Sequence, residues 1–167
     1  MAKNNMFLYV GAYSDEVTAQ EDFDALKALH KEGWVGTYDA GIVVKNNEGK
    51  MNIQRHTDST GKGAREGLVV GVVLGIIFPP SVIVSGAVAA GAGAAIGHNF
   101  NDISKDDLKT IGELIDNNQS ALVVIGESRV EEMVDKAARQ ALKEYKKEFN
   151  ADVSEYNKAL DEAIKEI

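Results

Sequence analysis

Apolar positions follow three rhythms along this chain, and each predicts a different kind of element. Met6 to Tyr13 (MFLYVGAY) is apolar on both faces of an extended backbone. Phe7, Tyr9 and Tyr13 lie on one face and Met6, Leu8 and Val10 on the other, which predicts a central strand. Phe23, Leu26, Leu29 and His30 then recur three to four apart, as on one face of a helix. Ser14 or Asp15 can cap that helix, Glu16 suits its first turn, and Gly33 marks its end. Asp39 to Lys45 and Met51 to Asp58 return to the strand pattern, joined by Asn46-Asn47-Glu48-Gly49, residues that tolerate positive φ. In the second of these strands Met51, Ile53 and Arg55 alternate with Asn52, Gln54 and His56, so one face is wetter.

The third rhythm fills Gly61 to His98. From Gly67 to Gly97 there is no charged side chain, and Pro79-Pro80 divides the run. Glycine recurs every fourth residue before the prolines, at Gly63, Gly67, Gly71 and Gly75. After them small residues keep the interval at Ser85, Ala89, Gly93 and Gly97, with Gly86, Ala90 and Ala94 alongside. Every fourth residue falls on one slowly drifting helical stripe. The pattern therefore predicts a helical hairpin turning at Pro79 and Pro80. Its packing surface would be Gly63, Gly67, Gly71, Gly75, Gly86, Ala90, Gly93 and Gly97, small enough for backbones to approach closely. Each limb would span roughly 26 Å, slightly short of a hydrocarbon core of about 30 Å. Three destinations stay open: a membrane, the same hairpin of neighbouring subunits, or burial within a monomer. Lys62 and Arg65 flank the start and Lys105 lies beyond the end, which would put both ends on the cytoplasmic side.

Further on, Ser104 and Asp107 have the spacing of a capping box, and Leu108, Ile111 and Ile115 continue as a helical stripe to about Asn117. Ala121 to Gly126 (ALVVIG) is a short buried strand. Ser128 and Glu131 form a second S-x-x-E box, and no later residue is Gly or Pro, so one helix could run to Ile167. Phe149, Val153, Tyr156, Leu160, Ala163 and Ile167 would form its a/d seam, and a break near Asn150 is the alternative. The expected fold class is α+β. With the hairpin set aside, the elements follow the βαββαβ order of a ferredoxin-like sandwich. Three units result: residues 1–60 with 101–127 as a discontinuous ferredoxin-like domain, 61–100 as the glycine-zipper hairpin, and 128–167 as a C-terminal amphipathic helical arm.

Composition narrows the function. A net charge of −8 over 167 residues disfavours nucleic acid, whose phosphates need clustered Lys and Arg. The absence of cysteine removes disulfides and thiol chemistry. The opening residues contain no continuous apolar stretch and soon meet Asp15 and Glu16, so no cleaved signal peptide is expected. Thr57 to Ala64 (TDSTGKGA) evokes a phosphate loop, but Gly63 follows Lys62 where Ser or Thr is required. His30, His56 and His98 lack metal-ligand spacing. Glu131, Glu132, Asp135, Glu144 and Glu148 interleave with Lys136, Lys143 and Lys147, as on a solvated ion-paired face. No catalytic, metal or cofactor site is expected, and the chain reads as a non-enzyme.

The segments FLYVGAYSDEVTAQEDFDALKAL, DAGIVVKNNEGKMNIQRHTD and STGKGAREGLVVGVVLGIIFPPSVIVSGAVAAGAGAAIG together resemble the bacterial domain of unknown function numbered 1269. Members of that family are commonly labelled predicted membrane proteins. The resemblance spans about residues 6–127, and its most specific part is the T-G-K-G-A start before a Gly-rich run broken at F-P-P. It implies a ferredoxin-like domain with a glycine-zipper hairpin and a shorter arm than the one after Ser128. It supplies no catalytic residues. The expected function is self-assembly: a homo-oligomer whose hairpins pack together, insert into membrane lipid, or both. The expected location is the cytoplasm or the inner face of the cell membrane. The alternative is a lipid or small apolar ligand-binding module, with its ligand near Ile77, Phe78, Phe7 and Tyr9.

Overall fold

Every residue of Met6–Tyr13 (β1) is buried, and the sheet is built outward from this strand on both sides. The structure, a computed structural model, describes residues 5–33, 38–58, 104–149 and Lys158. After β1 come Glu16–Lys31 (α1), Tyr38–Lys45 (β2), Met51–Asp58 (β3) and Lys105–Leu114 (α2). Ser120–Glu127 (β4), one 3-10 turn at Ser128–Val130, Glu131–Ala137 (α3) and Lys143–Phe149 (β5) complete the order. The strands form one sheet, β3-β2-β4-β1-β5, with every neighbouring pair antiparallel. Tyr9 stands opposite Val124 on one side and Lys146 on the other.

Local chemistry accounts for the element ends. Asp15 caps α1 by accepting from the Thr18 amide at 2.8 Å. The chain leaves that helix through Gly33 at φ +112°, which glycine adopts without a steric penalty. In the β2–β3 turn the Asn46 side chain accepts from the amides of Glu48 and Lys50, both at 2.9 Å. The Ser104–Asp107 capping box is present in both directions, each bond 3.1 Å. At the other end of α2, Lys45 Nζ donates to the Ile115 carbonyl at 2.9 Å, which ties the helix to β2.

Both faces of the sheet are covered. Phe7, Tyr9, Tyr13, Ala40, Ile42, Leu122 and Val124 share one core with Ala19, Phe23 and Leu26 of α1 and Met133, Val134 and Ala137 of α3. On the opposite face Leu8, Val10, Val43, Val123 and Ile125 are buried, and α2 packs there on β1 and β5. Alternation along β1 thus sends its two apolar sets into two different layers, as the sequence pattern requires.

Three expectations meet the structure differently. The strand, helix and turn assignments through residue 58, the capped helix after Ser104 and the strand around Ala121–Gly126 are all present. The continuous helical arm is corrected between residues 128 and 149: α3 is seven residues long and β5 joins the sheet beside β1. The sheet therefore extends to Phe149 and does not stop near residue 127. Ser128 is no capping residue either, because its hydroxyl donates to Glu148 on β5 at 3.0 Å and no side chain caps α3. The hairpin expected over residues 61–100 lies outside the described residues, as does the arm beyond Phe149 apart from helical Lys158.

Candidate functional site

Polar chemistry in the described residues gathers in two places, one on each side of the sheet. The first begins with a charge in an apolar stripe: Asp22 is buried on α1 beside Ala19, Phe23 and Leu26. A carboxylate so removed from water must find donors. Asp22 accepts the Tyr13 hydroxyl at 2.8 Å and the Gln140 backbone amide at 2.9 Å. Gln140 Nε2 lies 3.4 Å from its second oxygen and donates to Glu21 at 2.8 Å. Tyr9, on the same face of β1, donates its hydroxyl to Glu144 of β5 at 3.1 Å. Both tyrosines are fully buried.

This cluster holds its protons tightly. Burial, then the charge of Glu144, pushes the Tyr9 hydroxyl far above the usual tyrosine range. Burial does the same for Tyr13, helped by neighbouring Tyr9 and by the hydrogen bond to Asp22. Both hydroxyls, kept neutral, serve here as hydrogen-bond donors. The arrangement fits a lock that joins β1, α1 and the connection from α3 to β5. Asp22→Ala should cost about 2 kcal/mol, because the Tyr13 hydroxyl loses its acceptor inside the core. Urea unfolding checks this; a loss under half that size would mean the donors find other partners.

The second cluster lies under the start of α2. Asp107, already bonded to Ser104, also accepts Lys147 Nζ of β5 at 2.8 Å. Lys147, then the Ser104 amide, holds the Asp107 carboxyl below the usual carboxylate range. Tyr145, two residues before Lys147 on the same face of β5, has a buried hydroxyl with no hydrogen-bond partner. Burial, then the charge of Asp107, pushes it up to about 12. On the opposite face of β5, Lys146 reaches Asp135 at 2.7 Å and Glu131 at 3.5 Å, both on α3.

None of the packing, turn or seam residues expected from sequence falls within these clusters. Gly63, Gly67, Gly71, Gly75, Gly86, Ala90, Gly93 and Gly97 lie outside the described residues, with Pro79, Pro80, Val153, Tyr156 and Leu160. Phe149 ends β5 opposite Met6. His30 packs edge-on against Tyr38, ring centres 5.0 Å apart. Phe7 and Tyr9, named for an apolar ligand, are sealed beneath α1 and α3. Sequence reasoning passed over Asp22, although a carboxylate three residues from Ala19 and four from Leu26 stands on a helix's apolar face. Among the described residues no group of His, Asp and Glu is placed to hold a metal ion, and no helix is long and apolar enough to cross a membrane.

A family model described as proteins of unknown function (DUF1269) matches residues 64–164, more than half of the chain. The chain belongs to this family. The DUF1269 match starts within the Gly-rich run and covers α2, β4, α3 and β5, whereas the resemblance in the sequence spans about residues 6–127. The two overlap over 64–127, and residues after Ser128 belong to the matched part. DUF1269 residues thus supply both neighbours of β1, while β1 itself precedes the match. No curated protein and no solved structure matches the chain.

Proposed function

We propose that this DUF1269 protein is a non-enzymatic self-assembling protein whose apolar hairpins, over residues 61–100, pack together in a homo-oligomer, insert into membrane lipid, or both. One observation carries the reading: thirty-odd uncharged residues around Pro79-Pro80 keep a small residue at every fourth position. Such a stripe leaves little side chain to bury against a distant surface and favours close backbone contact. The protein would work in the cytoplasm or at the inner face of the cell membrane, without cofactor or nucleic acid.

The sheet supports a particular way of presenting the hairpin. β1 and β2 are both antiparallel to β4, which lies between them, so β1-α1-β2 is a split β-α-β unit. Adding α3 and β5 gives β1-α1-β2-β4-α3-β5, a ferredoxin-like path with strand order β2-β4-β1-β5. In this reading β3, the hairpin and α2 form one insertion between the second and third strands of that path. The expected hairpin then follows edge strand β3 and precedes α2 in the chain. A bound apolar ligand remains the competing function, but it loses Phe7 and Tyr9 as lining because both face the α1 and α3 core.

Fractionation of expressing cells without detergent, followed by sizing of the soluble part, tests the proposal directly. Gly71→Leu with Gly75→Leu should force the limbs apart and shift the protein to smaller species in sedimentation. A double variant that sediments like wild type would refute the packing role. Native mass spectrometry with lipid bound at fixed stoichiometry would favour the ligand-binding function instead.

A further inference from the structure

The first turn of α2 directly follows residues 59–103 in the chain, and opposing interactions meet there. Holding it down is the Lys147–Asp107 pair at 2.8 Å, with side chains 34% and 26% exposed, together with the Ser104–Asp107 capping box. Opposing it is Tyr145, whose hydroxyl is buried without a hydrogen-bond partner and feels the charge of Asp107. A hydroxyl taken from water and given nothing in return disfavours the closed arrangement. The far half of the helix carries no such conflict. Ile111, Leu114 and Ile115 are buried, and Lys45 holds the Ile115 carbonyl at 2.9 Å.

We propose that the first turn of α2 is a strap. It docks on β5 in one state and lifts in another, with the anchored half from Ile111 to Ile115 as its hinge. Lifting breaks the Lys147–Asp107 pair and lets water reach the Tyr145 hydroxyl. Because α2 follows the apolar segment in the chain, lifting the strap favours assembly with a second copy of this chain. This last link rests on the self-assembly reading above.

Amide hydrogen exchange on the full chain tests the strap. Tyr145→Phe removes the conflict, so exchange at Leu108, Lys109 and Thr110 should slow about tenfold. Lys147→Met should speed it several-fold, and Lys147→Arg, which keeps the pair, should restore wild-type exchange. Core amides of β4, Leu122 to Ile125, should not change in any variant. Exchange that moves equally in α2 and β4, or in neither, would overturn the strap.

Sedimentation without lipid tests the coupling, and flotation with phosphatidylglycerol vesicles separates it from lipid binding. Lys147→Met should associate more readily than wild type and Tyr145→Phe less. Equal self-association of all three despite altered exchange, or a difference confined to vesicle binding, would overturn the coupling. Failure of wild type to associate under either condition would count against self-assembly alone, and exchange would still decide the strap.

Discussion

Between pH 10 and pH 12 the folded chain should lose most of its stability, and Tyr9 and Tyr13 should ionise only as it unfolds. A tyrosine is neutral while protonated, with an ordinary value of 10.0 in the unfolded chain. The fold raises both groups far above that, chiefly by burial, so above pH 10 the unfolded state releases protons that the native state keeps. Stability is therefore fully present below pH 10 and falls as pH rises beyond it. The slope is about 1.4 kcal/mol per pH unit for each tyrosine. Two such groups acting over two units reach about 5 kcal/mol, comparable to the whole stability of a small domain. Tyr145, pushed up to about 12, acts in the same direction over this window. So does Lys146, raised first by its hydrogen bond to Asp135, whose contribution also fades as pH climbs. Tyrosinate absorbance and circular dichroism recorded in one titration give the answer. Ionisation of all five tyrosines near the ordinary value, with the dichroism intact, would contradict the prediction. Tyr13→Phe should make the alkaline loss shallower while lowering stability at neutral pH, where Asp22 loses one of its donors.

Where burial imposed a clean period, the sequence was readable. β1 announces itself because both its faces are apolar, and α1 because Phe23, Leu26, Leu29 and His30 recur three to four apart. The Ser104–Asp107 box was legible because a capping bond is local and needs only two residues three apart. β5 was hidden for the opposite reason. KEYKKEF consists mostly of good helix formers, and only Tyr145 and Phe149 are apolar, so neither its propensity nor its period suggests a strand. What decides it is non-local: β1 offers a backbone edge in the middle of an apolar layer, and β5 fills it. The lysines that weakened the strand signal suit the outer edge, where they discourage further strands from adding. Ser128 fails as a cap through the same pairing, because β5 carries Glu148 within reach of its hydroxyl.

The polar clusters were half legible. Asp22 breaks an apolar helical stripe, which a reader can see, but its partners Tyr13 and Gln140 are brought together only by the docking of the α3–β5 connection. Lys147 and Asp107 lie 40 positions apart, and nothing in a helical reading of residue 147 would aim it at α2. Both clusters depend on β5, so the element missed from sequence is the one that assembles them.

Gly11→Val should destabilise the protein by about 3 kcal/mol, at the upper end of what overpacking a well-filled core costs. Valine is ordinarily the better strand residue, and on propensity alone the change would be favourable. The structure reverses that expectation. Tyr9 lies along β1 above Gly11, and a Cβ at Gly11 would come within 2.9 Å of Tyr9 Cζ and closer still to its hydroxyl. The ring cannot simply swing away, because Tyr9 is fully buried and its hydroxyl is held by Glu144. Relief would need the ring to leave its place beside Tyr13, loosening the lock on β5. A double-mutant cycle isolates this close approach. In a Tyr9→Leu background the ring is gone, and Gly11→Val should cost less than half as much as it does in wild type. An equal penalty in both backgrounds, measured by urea unfolding, would show that the glycine is kept for some reason other than the tyrosine above it.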